Sequence, residues 1–412
     1  MILEVKSKIQ NPKSKIVVVG AGPAGASLAI RLAKEKFQVT LIERERFPRH
    51  KLCGEFISPE CFRHFRELGV SNRMFTGGGE RIAETIFYAP NGKSVGVPSD
   101  WFDKNEAGAL SLSRAEMDLI LLEQAVNLGV EVLEETSVAG LLLENGAVRG
   151  VKVKTKNGAA REIEADLTID ATGRAGVLGK LAGKIPDSKF QIPDSKFSAI
   201  QNPKSKIRNR LVGFKTHLKN VQLEKGRCEI YFFRGGYGGL SFVENNLANF
   251  CFLIEAEAVK KFNSDAGQII ENLVFQNRRA AETLDSSVPV RDWLAVSVNN
   301  FGLKDLNPAK NLFAVGDAGA FIDPFTGSGM LMALESAEIL ARIVGESSAV
   351  ERIAEKYAAA HTDKFRKRLF VCSILRRAAF SPVFAALFIN ALNLGTLPRR
   401  VLAQATRPTF SG

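Results

Sequence analysis

The chain has 412 residues, 45% of them hydrophobic and 24% charged, which allows two packed domains and excludes a predominantly disordered protein. Lysine and arginine exceed aspartate and glutamate by 56 to 44, and the net charge of +12 favours an anionic partner. Because the basic residues are dispersed and match no nucleic-acid-binding motif, we predict a phosphorylated cofactor and no nucleic acid.

The first predicted elements are a strand, a glycine-rich turn, a helix and a second strand. IVVVG is a β-branched run, Ala24–Lys36 has helical periodicity, and QVTLIE is a buried strand. The turn GAGPAG has the GxGxxG spacing, with Gly20, Gly22 and Gly25 as its glycines. Glycines let backbone amides approach a pyrophosphate, whose charge the helix N-terminus stabilises.

Glu43 ends the second strand, at the distance where a carboxylate binds the hydroxyls of an adenosine ribose. An acid here disfavours a ribose phosphate, so FAD or NAD fits better than NADP. Strand, helix and acid together favour a dinucleotide site over an ordinary glycine-rich turn.

The next predicted elements are a helix over Arg114–Leu128 and strands in VEVLEE, SVAGLLLE, VRGVKVKT and ADLTID. After them, the octapeptide IQNPKSKI of Ile9–Ile16 recurs at Ile200–Ile207, preceded by two copies of IPDSKF. Each repeat contains a proline and few apolar residues, so we predict extended, solvated chain. No glycine turn follows the second octapeptide, which indicates a low-complexity surface insertion at 185–207 and not a second nucleotide site.

The rest of the chain leaves the first lobe and returns to it. Short strands dominate Leu211–Ile254 and predict an antiparallel sheet, followed by a helix near Ala266–Gln276. Asn311–Gly316 is again a buried strand, and Ser328–Val344 is a helix. We therefore predict an α/β fold with a Rossmann-like lobe on a parallel sheet, an antiparallel β-sheet substrate lobe and C-terminal helices.

A second group of candidate residues lies in the segment GDAGAFIDPFTGSGM. The carboxylate of Asp317 follows a strand, where it can accept hydrogen bonds from a sugar-alcohol chain. Gly327, Ser328 and Gly329 begin a helix whose positive end would stabilise a reduced, anionic flavin ring. Ordinary loop chemistry is the alternative.

Cysteine usage predicts neither a metal site nor disulfides. No two cysteines have a CxxC spacing, and the histidines do not cluster near them. The first residues lack the apolar core of a signal peptide, so we predict a reducing, cytoplasmic location.

GAGPAG with Glu43, LSRAEMD, DATG and GDAGAFIDPFTGSG, in this order, resemble the FAD-dependent oxidoreductases with the p-hydroxybenzoate-hydroxylase fold. Within that superfamily, FPRHKLCGEFISP resembles the geranylgeranyl reductase branch. The resemblance covers residues 14–370 apart from the insertion; its flavin motifs are specific as a set, and its substrate motifs are not. It implies FAD as the cofactor, with NAD(P)H or a reduced carrier as external reductant.

The resemblance also implies that residues from both ends of the chain hold one FAD. Ala24, Glu43 and Arg114 would hold the adenosine and pyrophosphate end, Val138 the adenine, and Asp317 the ribityl chain. The complete predicted cofactor set is Gly20, Gly22, Ala24, Gly25, Glu43, Cys53, Gly54, Arg114, Val138, Asp317, Gly327, Gly329 and Met330.

Catalytic residues are left open, because the flavin performs the redox chemistry and requires no protein nucleophile. Cys53 is a candidate, since it is predicted beside the flavin ring and lies near Lys51, which would lower the pKa of its thiol. An inert, apolar role for this cysteine is the alternative.

Two reactions on a hydrophobic small molecule remain open. One is hydride transfer from reduced FAD to a carbon–carbon double bond; the other is oxygen-dependent hydroxylation of an aromatic or lipophilic substrate. The CGE segment and DATG, in which Thr172 replaces the usual acid of the hydroxylases, favour the first. Trp101 and Trp293 lie too far apart in sequence for the tryptophan-rich motif of halogenases. A non-catalytic, escort-type binding protein of the same fold is the third hypothesis.

The predicted domains follow from these assignments. The predicted ranges are the FAD-binding lobe, first part, 14–183; the repeat insertion, 184–208; the substrate lobe, 209–300; the FAD-binding lobe, second part, 301–346; and the C-terminal helical region, 347–412.

Residues 378–398 carry no charge and are flanked by arginines. Their length is sufficient for a membrane span, but their proline, asparagines and glycine argue against one. A helical hairpin packed on the flavin lobe, a cover over the substrate pocket and a peripheral membrane contact remain open. The oligomeric state is not predicted.

Overall fold

The structure, a computed structural model, describes residues 14–103, 105–183, 211–299, 301–347, 349–380 and 382–405. The predicted insertion at 185–207 lies outside these residues. The helices are α1 Pro23–Lys34, α2 Cys61–Leu68, α3 Ser71–Thr76, α4 Arg114–Asn127, α5 Val177–Ala182, α6 Ala256–Lys261, α7 Ala266–Asn272, α8 Arg278–Leu284, α9 Gly329–Glu346, α10 Val350–Ala379, α11 Pro382–Leu392 and α12 Thr396–Ala405.

The strands are β1 Lys15–Val19, β2 Gln38–Ile42, β3 Phe56–Ile57, β4 Glu80–Ile82, β5 Glu84–Tyr88, β6 Ser94–Pro98, β7 Ala109–Ser111, β8 Glu131–Leu133, β9 Thr136–Glu144, β10 Ala147–Thr155, β11 Ala160–Glu164, β12 Leu167–Asp170, β13 Leu211–Lys219, β14 Arg227–Phe233, β15 Gly236–Phe242, β16 Ala248–Glu255, β17 Val288–Pro289, β18 Leu294–Val298, β19 Gly302–Leu303, β20 Leu312–Ala314 and β21 Ala320–Phe321.

The first lobe contains a parallel sheet with the strand order β20-β12-β1-β2-β8. Four of the five residues of β1 are buried, as expected for a central parallel strand. Helices α1 and α9 pack against each other in the main core, although one comes from each end of the chain. Because parallel strands direct their carboxyl ends to one edge, the turns after β1, β2, β12 and β20 meet there.

The second lobe contains an eight-stranded sheet with the path β17-β13-β16-β15-β14-β5-β6, to which β18 adds by pairing with β13. Its pairs are antiparallel except that β14 and β5 run parallel. Alternate residues of a strand face opposite sides. Phe214 and Phe252 face a core shared with residues of α6, α7 and α8, whereas Lys215 and His217 face the first lobe.

Among the C-terminal helices, α10 packs on α9 of the first lobe, whereas α11 lies against the second sheet. In α11, Ala385, Ile389 and Leu392 are buried in a core that also contains Val95 of β6 and Phe232 of β14. Among the described residues, no helix has both the length and the apolar character needed to cross a membrane. The predicted α/β architecture, with parallel and antiparallel sheets and C-terminal helices, is confirmed.

Candidate functional site

The glycine turn after β1 closes tightly on the end of β12. Gly20 has a φ of +103°, and a Cβ at this residue would lie 2.3 Å from the carbonyl oxygen of Ala171. A Cβ at Gly25 would lie 1.9 Å from the carbonyl oxygen of Gly20. Only glycine fits at either place, so the first turn of α1 comes close enough to the sheet for its backbone to bind a pyrophosphate.

Glu43 lies beside this turn and is 5% exposed. Its carboxylate accepts hydrogen bonds from the backbone nitrogens of Ala21, at 3.1 Å, and Arg44, at 3.0 Å. It also pairs with Arg49, which bridges at 2.8 Å to Asp118 of α4. The acid predicted to bind a ribose is therefore fixed against the turn and held by a buried arginine.

Arg114 lies on the other side of the same turn. Its guanidinium donates to Asp118 at 2.6 and 2.7 Å, and its tip would lie 3.6 Å from a Cβ at Gly22. Ser113 caps the start of α4 by accepting from the backbone nitrogen of Glu116 at 3.2 Å.

Val138 belongs to β9, whose first residue lies next to Glu43. The backbone nitrogen of Thr136 donates to the carbonyl oxygen of Glu43 at 2.9 Å. Val138 packs in a cluster with Val19 and Ile42, the last residues of β1 and β2. The structure therefore places Val138 near Glu43, and its contact with an adenine stays a prediction.

Asp317 approaches the turn from the far end of the chain. Gly316 has a φ of +58°, and a Cβ there would lie 2.8 Å from the Cβ of Ala24 in the first turn of α1. Burial raises the pKa of Asp317 to about 6, against the lowering effect of Arg174 and Lys304. No hydrogen bond from a described residue acts on this carboxylate. It is thus a half-buried acceptor suited to ligand hydroxyls.

Two further predicted segments meet each other, at Phe56 and Gly327. Gly327 has a φ of +61°, and a Cβ there would lie 3.0 Å from the ring of Phe56. A Cβ at Gly54 would have no neighbour within 4 Å, so this backbone faces open space. Helix α9 starts at Gly329, and Met330 is buried in the main core.

Cys53 is half-buried next to Gly54. Its Sγ accepts from the backbone nitrogen of Glu55 at 3.4 Å, and its carbonyl oxygen accepts from Asn249 of β16 at 3.2 Å. The cysteine is therefore fixed between the lobes. Its proposed catalytic role stays a prediction.

A buried ionic cluster was missed from the sequence. Glu55 accepts hydrogen bonds from the Nζ of Lys215 and, at 2.8 Å, from the Nε2 of His217. All three side chains are at most 2% exposed. The available signal was the spacing of a lysine and a histidine two residues apart in one predicted strand, which puts both on the same face.

Asp170 of DATG has a local structural role. Its carboxylate accepts from the backbone nitrogen and the hydroxyl of Thr172, and from the backbone nitrogens of Leu178 and Gly179 in α5. These bonds hold the loop after β12 in place, directly behind the glycine turn.

One group of metal-ligand side chains lies outside this site. His64, Glu67 and Glu338 place ligand atoms within 4.8 Å of one another. Arg63 donates to both acids, at 2.7 and 2.8 Å, and Arg31 donates to the imidazole at 3.0 Å. Burial, with the charge of Arg63, lowers the pKa of His64 to about 3. The arginines supply the positive charge, so the group is an ion-pair network between α2 and α9.

The fold and the site together define a flavoprotein of the FAD-binding type. A glycine turn, the buried acid Glu43 and the half-buried acid Asp317 lie around the start of α1. The residues present fit FAD, because Glu43 accepts from the turn at Ala21, the residue before Asp317 contacts the first turn of α1 at Ala24, and the backbone of Gly54 faces open space.

The chain belongs to the FAD binding domain family, whose model matches residues 13–361. It is 26% identical over 362 residues to digeranylgeranylglycerophospholipid reductase 2 of Methanopyrus kandleri, covering 85% of this chain and 82% of the relative. It is 25% identical over 380 residues to tryptophan 2-halogenase of Chondromyces crocatus, covering 90% and 67%. The geranylgeranyl bacteriochlorophyll reductase-like protein of Thermoplasma acidophilum has the same fold, with a TM-score of 0.70 and 18% identity over 97% of this chain and 94% of that one.

The chain is therefore an FAD-dependent oxidoreductase, and the predicted FAD cofactor and enzyme class are confirmed.

Proposed function

We propose that the enzyme reduces a carbon–carbon double bond in a hydrophobic small molecule. The observation that carries this proposal is an aromatic wall next to Gly327. The ring of Phe325 lies 5.8 Å from that of Phe87, 5.7 Å from Phe232 and 5.4 Å from Tyr237. Phe232 and Tyr237 are buried in the core beneath α11, whereas Phe87 and Phe325 are only partly buried. A ligand would therefore meet the rings of Phe87 and Phe325, which suit an apolar chain better than a charged substrate.

The wall contains one hydroxyl. Tyr237 donates to Asp323 at 2.7 Å, and burial, with the charge of Asp323, raises the pKa of this tyrosine well above its ordinary value. Tyr237 therefore keeps its proton at neutral pH and adds no charge to the wall. When bound and reduced, FAD would supply the hydride; the surrounding residues position the substrate and exclude water.

The comparison with known relatives supports reduction of a double bond. The reductase of Methanopyrus kandleri matches over most of both chains. In this protein, Trp293 packs against Phe250 and Phe252 on the opposite face of the second sheet from the candidate site. That position argues against a tryptophan-dependent halogenase site.

Oxygen-dependent hydroxylation is the second candidate, because proteins of that chemistry share the fold. A probable FAD-dependent monooxygenase of Pseudomonas aeruginosa has a TM-score of 0.67 with 17% identity over 91% of this chain and 98% of that one.

The test is a single-turnover reaction with and without oxygen. Photoreduced holoenzyme, which avoids assuming an external reductant, is mixed anaerobically with lipophilic polyenes, and flavin absorbance and product mass are followed. Rapid reoxidation with a product that gains two hydrogens is expected. A product that gains one oxygen, formed only in air, would replace reduction by hydroxylation.

We also propose a peripheral contact of the region 378–398 with an anionic membrane surface. Leu387, Leu394 and Leu397 are 57%, 86% and 72% exposed. The sequence from Lys364 to Gly412 contains nine lysines and arginines and no acid. Lys364 and Arg368 pair with Glu335 in the folded protein, so the other basic residues of this stretch supply the charge. Exposed apolar side chains beside basic residues are typical of helices that lie on anionic lipid.

Co-sedimentation with vesicles tests this contact. Binding to phosphatidylglycerol vesicles that exceeds binding to phosphatidylcholine vesicles, and that falls with salt, is expected. Leu394→Glu with Leu397→Glu should reduce it, whereas Leu303→Glu, an exposed leucine 45% accessible in β19, should not. Equal sedimentation of all three proteins, or none with either lipid, would exclude the contact.

A further inference from the structure

Glu55 is an acid in an unusual backbone position. It is fully buried, and its φ of +55° lies in the left-handed region. A residue other than glycine costs about 1–2 kcal/mol in this conformation. Such a conformation persists where the surrounding contacts determine it, so the side chain at this position has a use that glycine could not supply.

The carboxylate of Glu55 connects the two lobes. From the first lobe it accepts from the backbone nitrogen of Arg114, at 2.8 Å, at the start of α4. From the second sheet it accepts from Lys215 and His217 of β13. Burial alone would raise the pKa of Glu55, but the hydrogen bond from His217 and the charge of Lys215 lower it below its ordinary value. The acid is therefore ionised at neutral pH and its bonds are charge-assisted.

The same short segment touches the other parts of the candidate site. Cys53 accepts from the backbone nitrogen of Glu55, and Phe56 packs against Gly327. Between them, Gly54 is the residue whose backbone faces open space. A shift of Glu55 would therefore move the part of the chain that borders this space.

We propose that Glu55 is a positioning residue. Its bonds to Lys215 and His217 of the second sheet would hold the Cys53–Gly54 segment against the flavin ring. This inference rests on FAD binding and not on the proposed reduction of a double bond. A failure of the reaction assay would therefore leave it standing.

The matched control is a second buried acid on the opposite face of the same sheet. Glu229 is fully buried and pairs with Arg279 at 2.8 Å, and Tyr231 donates to it at 2.7 Å. Glu229→Gln and Glu55→Gln each remove one buried charge that is bonded to a cation. Only Glu55 lies next to the candidate cofactor site.

The experiment compares FAD affinity, the visible spectrum of the bound flavin and the alkylation rate of Cys53 in the apoprotein. For Glu55→Gln we expect an FAD dissociation constant about tenfold higher, corresponding to about 1.4 kcal/mol, with an altered flavin spectrum and faster labelling of Cys53. For Glu229→Gln we expect lower thermal stability with unchanged affinity, spectrum and labelling.

A double variant separates positioning from folding, since Glu55→Gln leaves the charge of Lys215 unpaired in the interior. Glu55→Gln combined with Lys215→Met removes both charges and restores folding if the single variant is unstable. We expect affinity and spectrum to remain perturbed in the double variant. Wild-type affinity and spectrum in a folded Glu55→Gln or in the double variant would show that the cluster serves stability alone, and would overturn the inference.

Discussion

The replacement Asp317→Asn should stabilise the apoprotein at neutral pH and weaken FAD binding. Burial raises the pKa of Asp317 from 3.8 to about 6, so the folded apoprotein binds a proton here more tightly than the unfolded chain does. The stability that this proton contributes is fully present below pH 3.8 and is lost as the pH rises through about 6. Asparagine resembles the protonated form and carries no such loss.

The magnitude follows from the interval between the two pKa values. Each unit of pKa is worth about 1.4 kcal/mol, so the ionised carboxylate lowers the free energy of unfolding by about 2–3 kcal/mol above pH 6. Urea unfolding of the apoproteins at several pH values measures this difference. We expect the free energy of unfolding of Asp317→Asn to exceed that of wild type by about 2–3 kcal/mol at pH 7.5 and by only about 0.5 kcal/mol near pH 4.

A difference between the two apoproteins that does not change with pH would refute the electrostatic reasoning. The holoenzyme supplies the second half of the prediction. If Asp317 accepts from the ribityl hydroxyls, the variant should bind FAD about 10–100-fold more weakly, the range for a hydrogen bond to a charged group. Unchanged FAD affinity would place the ribityl chain elsewhere.

Three further outcomes are expected. Gly25→Ala should abolish FAD binding in a titration, because its Cβ would lie 1.9 Å from the carbonyl oxygen of Gly20. The control Gly345→Ala lies in α9, where a Cβ has no neighbour within 4 Å, and should stabilise the fold slightly. Gly316→Ala should lower both thermal stability and the affinity for FAD, because its Cβ would meet Ala24 of α1. The control Gly146→Ala, with a φ of +75° and no close neighbour, should lower thermal stability alone. Equal FAD affinity in the two variants would contradict the contact with α1. Deletion of residues 185–207 should leave the FAD content of the purified protein unchanged, and loss of FAD would show that the repeats belong to the site.

Those parts of the site that depend on local sequence were predictable. A β-branched strand, a glycine turn and a helix fix the positions of Gly20 and Gly25 within a few residues, and the next strand brings Glu43 to the same edge. The return of the chain at β20 was predicted from another apolar strand followed by an acid, Asp317. The assignment of individual residues to FAD contacts stays a prediction, as does the cytoplasmic location.

The contacts between distant charged residues were not predictable. Glu55 and Lys215 are separated by 160 residues, and neither residue type is expected in a buried position from composition alone. The parallel pairing of β5 with β14 was also missed, because no strand was predicted at Glu84–Tyr88 and the pairing is set by tertiary packing.

The contact between Gly316 and Ala24 also has a consequence for how the enzyme is made. Strand β1 pairs with β12, and β12 pairs with β20. Of these three strands, β20 is the last to leave the ribosome. A nascent chain that ends before β20 contains the glycine turn and Glu43 but lacks Gly316, which contacts Ala24, and Asp317. A chain truncated before β20 would therefore lack one of the segments predicted to hold FAD, and we expect it to be purified without the yellow colour of bound flavin.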